Sequence, residues 1–150
     1  MTTAVTTRVI GCSAETFLAF VLDVQRYREV DDKIGPIDWV RTEGLVTEFR
    51  FRPTIPGLPL APKVVSRMRL TPGQRIDIDY SPLPQNRLAH RISTFAASFE
   101  CAPDEGGTSV TRTISIGIPR LFRVLEGPLL RRRLQRSIER ELDLSQRRTW

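Results

Sequence analysis

The period of the hydrophobic pattern changes twice along this chain, and those changes leave few folds open. Through the middle of the sequence, polarity alternates with every residue. Leu45, Thr47, Phe49 and Phe51 stand against Val46, Glu48, Arg50 and Arg52. Val64, Ser66, Met68 and Leu70 stand against Val65, Arg67 and Arg69, and Ile76, Ile78 and Tyr80 against Asp77 and Asp79. Ile37 and Trp39 flank Asp38, while "STFAASFEC" and "TSVTRTISIGI" carry the pattern onward. A period of two predicts antiparallel strands with one buried and one solvated face. The joints "TEG" at 42–44, "TPG" at 71–73 and "DEGG" at 104–107 are turn chemistry. Pro72-Gly73 fits the two central positions of a type II turn.

Helical periods bracket this region. Residues 3–10, "TAVTTRVI", read as a first strand rich in β-branched residues. Ser13 then offers an N-cap, with Glu15 in the first turn, where the helix dipole favours a carboxylate. Phe17, Phe20, Val21 and Val24 share one helical face, and "DVQRYREV" predicts a second short helix begun at Asp23. A third, long helix is expected to start near Pro119. Its first apolar patch is Leu121, Phe122 and Leu125, and Gly127-Pro128 should kink or restart it. Beyond the proline, Leu130, Leu134, Ile138 and Leu142 recur every four residues. The count is seven strands, two short helices after the first strand and one long helix after the last.

The charge sits mostly on that last helix. Residues 120–150 hold nine Arg and four acids, a balance of +5, and the rest of the chain holds 14 basic and 13 acidic side chains, +1, which together give the formal +6. Arg132, Arg133, Arg136, Arg140 and Arg147 fall opposite the leucine stripe. They therefore belong to the outer face of a packed helix and not to a free basic arm. Arg136–Glu139, Arg140–Asp143 and Asp143–Arg147 are spaced for surface ion pairs. Three readings of this face stand: solvated surface, weak contact with an anionic membrane surface, and nucleic-acid contact. No aromatic interleaving or nucleic-acid motif supports the last.

At 150 residues the chain suits one domain, expected to span 1–150. No apolar run is long enough to cross a membrane as a helix, and the start lacks a signal-peptide pattern. Cys12 and Cys101 have no motif spacing; free thiols point to a reducing, cytoplasmic setting. A single histidine, His90 in "PQNRLAHR", argues against a metal site and a histidine-dependent triad, and is expected in a loop or strand start. No phosphate loop or dinucleotide fingerprint is present.

Two inward polar residues stand out. Arg112 shares the parity of Val110, Ile114, Ile116 and Ile118, while Ser109, Thr111, Thr113 and Ser115 take the other face. A guanidinium pointed inward needs a carboxylate, carbonyls or a ligand. Tyr80 shares the inward parity of Ile76 and Ile78, and its hydroxyl could act as a polar handle.

The segments "VIGCSAETFLAFVLDVQRY" and "FAASFECAPDEGGTSVTRTISIGIP", with Gly107-Thr108 opening the last strand, resemble the START-like, helix-grip superfamily. Within it they resemble the bacterial polyketide cyclase/dehydrase and lipid-transport group. The resemblance covers essentially the whole chain. It implies an α+β helix-grip fold: a curved seven-stranded antiparallel sheet wrapped around the long helix, with an apolar cavity between them. We expect a large enclosed cavity, above about 300 Å³, between residues 121–142 of the long helix and the sheet, and without it the ligand-binding reading fails. The expected lining is Phe49, Phe51, Met68, Tyr80, Phe95, Phe99, Arg112, Ile114 and Leu125. The proline-rich stretch 52–62 is expected to be a stiff exposed loop, either a plain connection or a flap over the mouth. The expected function is binding of a hydrophobic small molecule or lipid, as carrier or sensor, with no cofactor, no metal and no nucleic-acid partner. The alternative is an aromatase/cyclase-type enzyme acting on a polyketide-like substrate, with Arg112 or Tyr80 polarising carbonyls.

Overall fold

All seven alternating segments join one antiparallel sheet. A computed structural model describes residues 1–54, 61–82, 84–117 and 128–150. The strands are β1 (Thr2–Ile10), β2 (Ile34–Glu43), β3 (Val46–Pro53), β4 (Val64–Thr71), β5 (Arg75–Tyr80), β6 (Thr94–Asp104) and β7 (Gly107–Gly117). The helices are α1 (Ala14–Leu22), α2 (Val24–Tyr27), α3 (Arg87–Ile92) and α4 (Pro128–Arg147). Strand order is β1-β7-β6-β5-β4-β3-β2. Strands β2 to β7 form a meander, and β1 closes against β7 with Ala4 opposite Ile114 and Thr6 opposite Arg112. This is the α+β arrangement that the sequence implies, a curved seven-stranded sheet with a long final helix and two short helices after β1.

Local chemistry fixes the joints. The Ser13 side chain accepts the Thr16 N–H at 3.1 Å and starts α1, whose residues Phe17, Phe20 and Val21 are buried together with Val24 of α2. Gly73 has φ +70°, and the Gln74 N–H donates to the Thr71 carbonyl at 3.0 Å, closing the turn that Pro72-Gly73 predicts. Gly107 has φ +131°, and a Cβ there would lie 2.2 Å from the Ile10 carbonyl oxygen. Its neighbour Thr108 donates from Oγ1 to the Cys12 carbonyl at 2.7 Å. The Gly-Thr pair thereby pins the β6–β7 hairpin to the turn between β1 and α1.

The leucine stripe of α4 is buried as expected: Leu130, Leu134, Ile138 and Leu142 are each at most 4% exposed. The first three pack with Ala4, Ala97, Ile114 and Ile116. Leu142 joins the larger core built on Phe17, Phe20, Tyr27 and Phe99. Helix α4 also covers the free edge of β1. Gln135 accepts the Val5 N–H at 3.2 Å and donates to the Val5 carbonyl at 2.8 Å, and Gln146 donates to the Val9 carbonyl at 2.9 Å.

Several expectations need correction. Leu45 is not inward but 54% exposed, because it belongs to the hairpin turn behind Gly44, whose φ is +57°. Strand β2 does not alternate cleanly; its pairing with β3 shifts between Ile34 and Ile37 and again before Trp39, a bulge that bends the strand. His90 lies on helix α3, preceded by a 3-10 turn at Pro84–Asn86, not in a loop or strand. Asn86 anchors that turn: its side chain accepts the Val65 N–H at 2.9 Å and donates to the Val65 and Ser81 carbonyls at 2.8 and 2.6 Å. The expected helix start at Pro119, with Leu121, Phe122 and Leu125, lies outside the described residues. Residues 55–60 of the proline-rich stretch do too, while its flanks are tied by an Arg52 Nη1 bond to the Ala61 carbonyl at 3.2 Å.

The stripe makes a direct prediction. Leu134→Ala should cost about 2–5 kcal/mol, since the side chain is fully enclosed. Leu129→Ala, little more than one turn away on the exposed side, should stay within about 0.5 kcal/mol of the parent protein. Chemical denaturation of the two variants measures both.

Candidate functional site

Five polar side chains from four parts of the chain converge under α4. Tyr27 ends α2, Asp31 and Lys33 lie in the turn before β2, Arg112 is on β7 and Glu141 on α4. None is more than 8% exposed. The Tyr27 hydroxyl donates to Glu141 Oε1. Arg112 Nε donates to the same oxygen at 3.0 Å, and Lys33 Nζ donates to Glu141 Oε2 at 3.0 Å. Lys33 Nζ also lies 2.9 Å from Asp31 Oδ1, and Arg112 Nη2 lies 3.7 Å from Asp31 Oδ2. The guanidinium rests on the Phe99 ring, 4.2 Å from its centroid.

The cluster holds its charged state by mutual pairing. Burial alone would raise the Asp31 carboxyl, but Lys33 and Arg112 hold it below its ordinary value. Burial would lower the Lys33 ammonium, but Asp31 and Glu141 hold it above its ordinary value. The Tyr27 hydroxyl is pushed well up, first by burial and then by the Glu141 charge, so it stays a neutral donor. Two cations therefore face two carboxylates, and the charges cancel.

One donor is left over. Arg112 Nη1 is buried and has no hydrogen-bond partner among the described residues. Arg112, Asp31 and Lys33 form the charged part of a cavity whose other walls are mostly apolar, Phe49, Phe51, Val64, Ile78, Phe95, Ile114 and Ile116 among them, with Ser66 and Tyr80 the other polar residues of the described lining. The described lining encloses about 60 Å³. That is well short of the roughly 300 Å³ expected for a whole small molecule, while part of the helix expected to face it lies outside the described residues.

The nine expected lining residues separate clearly. Phe49, Phe51, Tyr80, Phe95, Arg112 and Ile114 meet around the cavity. Met68 and Phe99, at 2% and 0% exposure, are packed into the core and do not line its described part. For Phe99 the reason is visible: Tyr27 and Phe17 pack edge-on against it at 5.5 and 5.8 Å, and Arg112 covers its face. Leu125 lies outside the described residues. Tyr80 has spent its hydroxyl on Ser93 Oγ at 3.1 Å, and burial pushes its pKa up despite that bond. His90 sits edge-on to the Tyr80 ring at 5.5 Å.

The parity of β7 correctly places Arg112 inward, but the sequence reading missed its partners. Glu141 had a visible signal. It follows Leu134 by seven residues and Ile138 by three, so it falls on the leucine stripe and must be buried with something. Asp31 and Lys33, in "DDKIG", carried no such signal, because a turn has no period.

Two predictions follow the charges. Asp31 contributes stability above its unfolded value near 3.8, lost as pH falls through its lower folded value. Lys33 contributes fully below its unfolded value near 10.5, lost as pH rises through its higher folded value. Asp31→Asn should flatten the acid limb of a denaturation-midpoint profile and also weaken the alkaline limb, because Asp31 is the chief group that holds the Lys33 ammonium up. Glu141→Gln should cost about 3–5 kcal/mol, because two buried cations are left to share Asp31; chemical denaturation at neutral pH reads the loss.

Comparison with known proteins agrees with this architecture. Residues 1–148 match the family model described as polyketide cyclase / dehydrase and lipid transport. A search of curated sequences finds no match. Among solved structures, TTHA0849 from Thermus thermophilus is similar at TM-score 0.75 and 15% identity, covering 97% of this chain and 94% of that one. A START superfamily protein from Mycobacterium smegmatis is similar at TM-score 0.65 and 11% identity, with 95% and 92% covered. The di-domain ARO/CYC StfQ from the steffimycin biosynthetic pathway gives TM-score 0.71 at 14% identity, with 97% of this chain matching 49% of StfQ. These likenesses concern the fold, while the family match spans nearly the whole sequence, and the chain therefore belongs to the polyketide cyclase / dehydrase and lipid transport family.

Proposed function

We propose that residues 1–150 act as one binding domain for a largely apolar small molecule or lipid that carries an uncharged hydrogen-bond acceptor at one end. The observation that carries this reading is the orphaned Arg112 Nη1 in the charged part of a mostly apolar cavity. A buried donor without a partner costs about 1–3 kcal/mol, which an acceptor on a ligand would recover. The rest of the cluster selects the kind of acceptor. Its two cations are already balanced by Asp31 and Glu141. An ionised carboxylate would bring an uncompensated charge into a poorly solvated space beside Asp31, whereas a ketone, ester or amide carbonyl would satisfy Nη1 and add no charge. The described 60 Å³ suits the polar end of such a ligand, with the aromatic walls Phe49, Phe51 and Phe95 flanking its apolar part.

An aromatase/cyclase-type activity is the second reading, because the same Nη1 donor would polarise a carbonyl as well as hold it. Family membership and the likeness to StfQ support it at the level of fold.

A matched ligand series tests the binding reading. Isothermal titration at neutral pH should show a long-chain methyl ketone binding more tightly than the fatty acid or alkane of equal length. Arg112→Met should abolish the preference for ketone over alkane. The variant also leaves Asp31 and Glu141 short of a cation, so its fold must first be confirmed by its melting curve. Failure of all three wild-type ligands would refute the reading, and tighter binding of the fatty acid would refute the uncharged end.

A further inference from the structure

The arginines on the outer face of α4 lack the partners that the sequence offers them. Helix α4 carries Arg131, Arg132, Arg133, Arg136, Arg140 and Arg147 against three acids. All three acids are engaged elsewhere. Glu141 turns inward to Arg112 and Lys33, Asp143 pairs across to Arg8 on β1 at 3.2 Å, and Glu139 accepts from Gln135 Nε2 at 3.0 Å. The expected Arg136–Glu139, Arg140–Asp143 and Asp143–Arg147 pairs do not form. Among the described residues, none of the six arginines lies within salt-bridge distance of a carboxylate.

Their spacing makes this costly. Arg132, Arg136 and Arg140 follow one another at i, i+4, where like charges repel, and Arg133 lies three residues from Arg136. The outer row from Arg132 to Arg147 runs about 22 Å along the helix, and from Arg132 to Arg140 the axial steps of up to about 6 Å fall within the roughly 8 Å screening length of physiological salt. An anionic surface as extended as the row would relieve that repulsion.

We propose that this face of α4 docks on the surface of an anionic phospholipid bilayer. Three observations favour lipid over nucleic acid. Leu129 projects at 62% exposure from the start of the row, where an apolar side chain suits the boundary between headgroups and acyl chains. The large hydrophobic side chains exposed among the described residues are aliphatic, so no aromatic platform stacks a base. The face also adjoins the internal cavity. A surface groove formed by Arg133, Arg136, Arg140, Ser137, Thr54 and Asp32 shares Lys33 with the cavity lining. Asp32 is the one acid in that groove among the described residues, and it accepts from Ser137 Oγ at 2.7 Å. A bilayer docked here stands beside the charged part of the cavity. This surface is independent of the ligand reading above.

Vesicle co-sedimentation tests it with the intact protein and no added ligand. At physiological salt the protein should sediment with phosphatidylcholine vesicles containing phosphatidylserine and stay in solution with phosphatidylcholine alone. Each arginine near such a surface contributes about fivefold, so the triple variant Arg132→Gln, Arg136→Gln, Arg140→Gln should bind about a hundredfold more weakly. Its melting temperature should stay at or above that of the parent, since repulsion is removed. Arg69→Gln with Arg91→Gln, exposed charges off this helix, should bind as the parent does. Raising salt to about 1 M, where the screening length is about 3 Å, should release the protein. Equal binding to both vesicle types, no binding to either, or unchanged binding by the triple variant would each overturn the proposal. Tighter binding to labelled DNA than to the anionic vesicles at the same salt would overturn it in favour of nucleic acid.

Discussion

A single buried carboxylate holds the architecture together. Glu141 has no exposure to water, and its two oxygens receive bonds from a tyrosine on α2, a lysine before β2 and an arginine on β7. Removing it would delete the helix's polar links to three other parts of the chain at once. An apolar residue at 141 would continue the leucine stripe, yet it would leave two buried cations to share Asp31. The Glu141 bonds thus add to the leucine stripe and to the Gln135 and Gln146 bonds with β1 in positioning the helix.

That requirement also shapes the site. Pairing Arg112 through Nε and placing Nη2 toward Asp31 fixes the plane of the guanidinium over Phe99. With the plane fixed, Nη1 has no freedom to swing toward another partner. The unsatisfied donor is thus a consequence of the network that stabilises the fold, and on the proposed binding reading it would need no reorganisation to meet a ligand.

Most of the architecture was legible because sheets and helices impose periods on sequence. The parity of β7 was enough to turn Arg112 inward among Val110, Ile114 and Ile116, and the four-residue spacing of Leu130 to Leu142 was enough to bury one side of α4. Legibility failed where no period operates. Leu45 matched the alternation of Phe49 and Phe51 but fell in the turn beyond it. The segment around His90 was too short for a helical signature, and its order comes from Asn86 reaching across to β4, a tertiary bond that no local pattern records. The ion pairs expected along α4 obeyed the right spacing, yet Arg8 on β1 took Asp143 and the Gln135 amide took Glu139. Spacing says which groups can meet and leaves open which competitor wins.

The Gln135 amide has a role beyond attaching α4. It binds the N–H and carbonyl of Val5 together, just as a neighbouring strand would. Strand β1 is the outermost strand on that side, and Val5 and Val9 are solvent-exposed β-branched residues of the kind that favour pairing. Left bare, that edge would template the addition of a strand from another molecule. A side-chain amide imitates a peptide group here, ending the hydrogen-bond ladder without extending the sheet. Gln135 thus guards the protein against self-association through β1, a duty distinct from its contribution to the stability of the single chain.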